Sequence, residues 1–190
     1  MNLPNKLTVL RVIIIPVFVA AYLMHGYFWA LALFGLASLT DALDGMLARK
    51  YKLVTDFGAL MDPLADKLLV MAAMICFLHD SFVPVSVPVV VILLSREFLV
   101  TSIRLVAVGK GTVISADKWG KLKTVFQMVW IMFGLLIMWL DDFLHPAISL
   151  RSLIRIGWSV FDVLTWVVVA LTVLSGLNYL VRNRHLISDA

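Results

Sequence analysis

FWALALFGLASLTDALDGMLARKYKLVTDFGALMDPLADKLLVMAAMICFLH, residues 28–79, reads as two apolar runs joined by a short basic loop, with four aspartates set inside it: Asp41, Asp44, Asp62 and Asp66. Each run matches the roughly 20 residues a helix needs to cross the hydrocarbon of a bilayer. Working outward, four further spans are expected at about 7–24, 82–108, 120–140 and 156–181, with Pro84 and Pro88 in the first turns of the fourth span. The 190 residues are 62% hydrophobic and 15% charged, against about 25% charged in soluble domains, which excludes an ordinary soluble fold. The expected architecture is an all-α integral membrane protein of about six transmembrane helices, residues 1–190 forming one domain, with no extramembrane domain. Strands are excluded because in lipid only helices and closed barrels satisfy their backbones.

Charge placement orients the chain. The net charge of +4 comes from 16 Lys and Arg against 12 Asp and Glu, and it is read as loop charge, not as a nucleic-acid surface. Arg49, Lys50, Lys52, Lys110, Lys118, Lys121 and Lys123, with Lys6, Arg182 and Arg184 near the ends, fall on one side. The positive-inside rule makes that side, and both termini, cytoplasmic. Arg151 and Arg155 dissent, either opening an interfacial helix or snorkelling outward. Cys76, the single cysteine, is read as a small core residue.

Carboxylates at membrane depth are costly and mark function by default. At about 1.5 Å of rise per residue, Asp41 lies roughly 9 Å before the inner end of the second span, and Asp62 and Asp66 lie about 6 and 12 Å into the third. All four therefore fall in one slab near the cytoplasmic face. The i,i+3 spacing of Asp41 and Asp44 and the i,i+4 spacing of Asp62 and Asp66 put each pair on one side of its helix. Four clustered carboxylates demand compensation by protons or cations. An all-oxygen donor set without His or Cys suits two Mg²⁺ or Mn²⁺ ions, and such a pair serves phosphoryl chemistry. A proton or cation relay, or structural pairing with Lys and Arg, is the competing reading. Gly45 and Ala48 leave a notch on the same helix, and Arg49 is placed to reach over it toward a phosphate; small-residue helix packing and cytoplasmic anchoring explain the same residues without a ligand.

Asp41, Asp44, Gly45, Ala48, Arg49, Gly58, Asp62 and Asp66 spell DxxDGxxAR, eight residues, then GxxxDxxxD. This pattern resembles the signature of the CDP-alcohol phosphotransferase family. The resemblance implies a six-helix membrane enzyme, usually a homodimer, that transfers a group from a CDP-linked donor to an alcohol and releases CMP. Flanking blocks extend it: Pro4–Thr8 through Arg11, Asp62–Lys67, Arg96-Glu97 followed by Arg104, and Gly120–Thr124 through Gln127. They resemble the branch that uses CDP-diacylglycerol as donor and sn-glycerol 3-phosphate as acceptor, in a bacterial inner membrane.

By that analogy Asp41, Asp44, Asp62 and Asp66 hold the metals and Asp66 is also the general base. Asn5, Thr8, Arg11, Gly45 and Arg49 are assigned to CDP-diacylglycerol, with helix capping as the alternative for Asn5 and Thr8. Arg104, Lys121 and Lys123 are assigned to the acceptor phosphate, with anchoring at the membrane surface as the alternative for the lysines. Arg96 and Glu97 are read as a buried pair fixing the fourth helix. His25, His79, His145 and His185 show no ligand spacing, and Trp29, Trp119, Trp139 and Trp158 read as interfacial residues. Two rival functions stand beside this one: a related enzyme with another acceptor (phosphatidylglycerol, inositol phosphate or serine), and a cation- or proton-coupled transporter.

Overall fold

The computed structural model describes residues 3–51, 56–110, 112, 114, 118–144 and 151–184, and for 3–8, 41–51, 56–64 and 66 the backbone alone. It consists of six helices: α1 (Leu3–Leu23), α2 (Tyr27–Tyr51), α3 (Asp56–His79), α4 (Val87–Gly109), α5 (Lys118–Leu144) and α6 (Arg151–Arg182). No strand occurs among the described residues. Each helix displays large aliphatic side chains outward, for example Ile13, Leu39, Ile75, Leu105, Val125 and Val163. Exposed apolar surface of that extent calls for a nonaqueous neighbour. Among the described residues α5 and α6 are long and apolar enough to cross a membrane.

The starts of α4 and α6 differ most from the sequence reading. The fourth helix begins at Val87, with Ser86 in an extended N-cap conformation and a proline at the first helical positions. Pro84 precedes the helix instead of lying in its first turn, because each proline disfavours the α conformation in the residue before it; a turn from the Val83 N–H to the Asp80 carbonyl, 3.1 Å, fills the gap. At the other end of the chain, Arg151 and Arg155 lie within the first turns of α6, which continues unbroken for 32 residues. At 1.5 Å per residue it is about 48 Å long, more than the roughly 30 Å of hydrocarbon, so its charged start has room to reach polar surroundings.

The link between α1 and α2 is three residues closed by two hydrogen bonds. The Gly26 N–H donates to the Ala21 carbonyl at 2.8 Å and the His25 N–H to the Tyr22 carbonyl at 2.9 Å. This is the Schellman pattern of a helix C-terminus. His25 occupies the left-handed position usually given to glycine, with φ 58°, and its Nδ1 lies 2.7 Å from the Tyr27 hydroxyl.

The helices divide into two compact units. The first contains Met1–Val83 and Ile131–Trp158, the second Pro84–Trp130 and Ser159–Ala190. In the first unit α1 packs against both α2 and α3. Phe18, Tyr22, Phe34 and Phe77 are buried there, with Phe18 6.0 Å from Phe34 and 6.4 Å from Tyr22, and Tyr22 6.4 Å from Phe77, centroid to centroid. Buried Ala30, Ala37 and Ala73 let the backbones approach, the usual means of joining helices in lipid. Cys76 is buried in this core as expected.

The second unit is built around Trp130, fully buried on α5. Its ring stacks on Phe161 of α6 at 5.4 Å, and its indole N–H donates to the Thr165 hydroxyl at 2.8 Å. Val100 and Ile103 of α4 pack with Tyr179 of α6 to form a second contact.

Candidate functional site

The four aspartates lie on α2 and α3, both in the first unit, while their side chains lie outside the described residues, as do those of Asn5, Thr8, Gly45 and Arg49. The backbone still fixes their register. Tyr22 of α1 touches Tyr27 at the start of α2, 5.6 Å between rings, and Phe77 at the end of α3, so those two helix ends lie together. From Tyr27, positions 41 and 44 lie about 21 and 26 Å along α2. From His79 backward, positions 66 and 62 lie about 20 and 26 Å along α3. Two antiparallel helices measured from a shared end thus bring 41 level with 66 and 44 level with 62. α2 also touches α3 directly. A purely carboxylate set of residue types is one that suits a divalent cation; among the described residues no group of three His, Cys, Asp or Glu is placed to hold a metal ion.

Arg11 of α1 is buried, with 1% of its surface exposed. A guanidinium so enclosed is not a surface anchor, and it lies three residues beyond Thr8 on the same helix.

The candidate acceptor residues belong to the second unit and do not behave alike. Lys121 is exposed on α5, whereas Lys123, two residues on and therefore on the opposite helix face, has 1% of its surface exposed. The Lys123 ammonium donates to Glu97 of α4 and to Gln127 one turn along α5. Arg96 also meets Glu97, Nη1 to Oε1 at 3.1 Å; this is the pair expected from the sequence, half-buried instead of buried because both side chains keep some exposed surface. Arg104 lies over the ring of Tyr179, its central carbon 5.8 Å from the ring centroid. Arg96 Nε, Arg104 Nε, the Tyr179 hydroxyl and the Thr172 hydroxyl are buried without a hydrogen-bond partner among the described residues.

Sequence reasoning missed three of these features. The join from Lys123 to Glu97 spans two helices, and no local spacing announces it. Tyr179 and Thr172 sit in what reads as generic apolar helix. The i,i+4 relation of Lys123 to Gln127 was the one available signal.

Comparison with known proteins decides the family. Residues 1–174 match the model of the CDP-alcohol phosphatidyltransferase family. The chain belongs to this family. The matched region runs through both compact units of the fold. A Bacillus subtilis relative named CDP-diacylglycerol–glycerol-3-phosphate 3-phosphatidyltransferase is 37% identical, covering 96% of this chain and 95% of its own. A Haemophilus influenzae relative of the same name is 40% identical, covering 67% of this chain and 72% of its own. A Mycobacterium tuberculosis relative named probable phosphatidylglycerophosphate synthase is 38% identical, covering 95% of this chain and 81% of its own. As a member of the CDP-alcohol phosphatidyltransferase family the chain is a membrane-bound enzyme.

Proposed function

We propose that this enzyme transfers the phosphatidyl group of CDP-diacylglycerol to sn-glycerol 3-phosphate, releasing CMP and phosphatidylglycerophosphate. The observation that carries this reading is the near full-length similarity to relatives named for that reaction, joined to an unbroken aspartate signature. The match through both units supports residues 1–190 working as one domain. The basic loops support a bacterial inner-membrane protein of six spans with cytoplasmic termini and its site near the cytoplasmic face. A homodimer is part of the same proposal, by the family resemblance.

In the mechanism, Asp41, Asp44, Asp62 and Asp66 hold two divalent ions, Mg²⁺ or Mn²⁺, whose charge when bound offsets that developing on the departing CMP. Asp66 accepts the proton of the acceptor's primary hydroxyl as that oxygen attacks the phosphorus bearing diacylglycerol. Arg49 and the notch at Gly45 cradle the donor pyrophosphate, and Arg11 with Asn5 and Thr8 steadies the nucleotide. Arg104 and Lys123 take the acceptor phosphate, while Lys121, exposed on the other face of α5, serves as a membrane-surface anchor. The donor's acyl chains remain in lipid, which suits a site about two helical turns deep.

The deciding assay measures CMP release from CDP-diacylglycerol by purified protein with Mg²⁺ or Mn²⁺, offering glycerol 3-phosphate, inositol phosphate, serine and phosphatidylglycerol separately. Metal-dependent turnover with glycerol 3-phosphate alone is expected. Turnover with a different acceptor moves the substrate within the family, and CMP from none of them would restore the transporter reading.

A further inference from the structure

The second unit keeps a partly buried ionic network in which Lys123 and Gln127 are enclosed and Arg96 and Glu97 are half-buried. Glu97 accepts from Arg96 of its own helix and from Lys123 of α5, and Lys123 is shared with Gln127. The seat of Arg96 is reserved by α6: a Cβ added to Gly176 would lie 3.2 Å from Arg96 Cγ. One carboxylate thus organises two cations while a third helix withholds a side chain to let one of them in.

As packing alone, this arrangement is poor value. Buried ion pairs can generally be exchanged for apolar pairs of similar volume with little loss of stability. Simple anchoring at the membrane surface fits exposed Lys121, but not Lys123 at 1% exposure. The same interior also contains donors that the fold leaves unused. Arg96 Nε and Arg104 Nε are buried without a partner among the described residues, as are the hydroxyls of Tyr179 and Thr172. Glu97 and Arg104 are seven residues apart on α4, two turns along one face. Arg96, Arg104 and Lys123 bring positive charge of the kind a phosphomonoester, carrying about −1.5 to −2, calls for.

We propose that Glu97, assisted by Gln127, is a positioning residue for acceptor capture: it holds the Lys123 ammonium and the Arg96 guanidinium in a fixed arrangement for the phosphomonoester of the acceptor. This rests on the acceptor reading above and adds the group that organises the cations. Glu97 does not touch the reacting atoms. Its carboxylate fixes the direction of two flexible cationic side chains before the acceptor arrives, so that their ordering is not charged against binding.

The test uses the full-length enzyme in detergent or nanodiscs, measuring kcat and the KM for each substrate separately, with circular dichroism as the folding control. Glu97→Gln is expected to raise the KM for glycerol 3-phosphate at least tenfold while the KM for CDP-diacylglycerol stays within twofold. Glu97→Asp, which restores the charge, is expected to bring the acceptor KM back to within about threefold of wild type. A fall in kcat with both KM values unchanged would mean a structural role only and would overturn the proposal. If Glu97→Gln does not yield folded protein, Gln127→Leu carries the test: a threefold or greater rise in the acceptor KM alone supports positioning, and no change overturns it. Wild-type enzyme inactive toward glycerol 3-phosphate would overturn the reaction reading and this inference together, whereas active wild type with an unaltered variant KM overturns this inference alone.

Discussion

The two units solve the interior of a membrane protein by different means. In the first, the well-packed end of α1, α2 and α3 is closed by interlocking aromatic rings and alanines, and Arg11 is its one buried charged or polar residue among the described side chains. In the second, Lys123, Gln127, Thr165, Thr172 and Ser175 are all buried. Lipid gives helices little hydrophobic reason to associate, so shape and polar contact must do so. The first unit relies on shape at its aromatic end, and Asp41, Asp44, Asp62 and Asp66 lie toward the other ends of α2 and α3. The second runs polarity through its core, which suits the acceptor pocket proposed there.

The largest break in this comparison comes from the acids. Replacing Asp66 with Asn is expected to lower CMP release by about 10³-fold, within the range for a general base, and Asn at 41, 44 or 62 should do the same, as should a chelator added to wild type. Melting temperatures should barely move, because the aromatic end holds the unit together. Full CMP release from Asp66→Asn would remove the general-base assignment.

Next in size is the ionic network. Glu97→Leu removes the carboxylate to which the buried Lys123 ammonium donates and is expected to cost about 3 kcal/mol of folding free energy. The double variant Glu97→Leu/Lys123→Met should recover most of that loss in denaturant titrations while remaining poor at acceptor capture. Recovery of both properties would reduce the network to packing.

Phe18→Ala probes the other unit by the same titration. Phe18 is fully buried, and truncating a core phenylalanine in water costs about 3 to 5 kcal/mol. In lipid the transfer part of that cost largely vanishes and the lost packing remains, so about 2 kcal/mol is expected, with kinetic constants preserved. The smallest effect belongs to His25→Gly. Relief of the left-handed backbone, about 1 kcal/mol, is partly offset by losing the contact with Tyr27, leaving a net gain of about 0.5 kcal/mol in a thermal melt.

These contrasts also mark what was legible in the sequence. Six apolar runs gave six helices, because lipid demands length and hydrophobicity from each segment on its own. The placement of Asp41 and Asp44 on one helix and of Asp62 and Asp66 on the next was legible for a similar reason, since each pair falls within a single apolar run. The beginning of α6 was placed late because Arg151 and Arg155 break the apolar pattern without breaking the helix. Pro84 hid the start of α4. The partnership of Lys123 with Glu97 could not be read at all, since it depends on the register between α4 and α5. Gly176 was silent for the same reason: only Arg96 lying across it gives the missing side chain a purpose.

The charges of α4 bear on how the chain is made. Arg96, Glu97 and Arg104 all lie within its 23 residues, and at about 2.5 to 3.5 kcal/mol for each ion near the bilayer centre the segment partitions badly from a translocation channel by itself. Its carboxylate meets Lys123 only when α5 follows. Biogenesis is therefore expected to release α4 and α5 into lipid together, as a hairpin that brings its own counter-charge. The same network is then expected to set the order in which these two helices leave water.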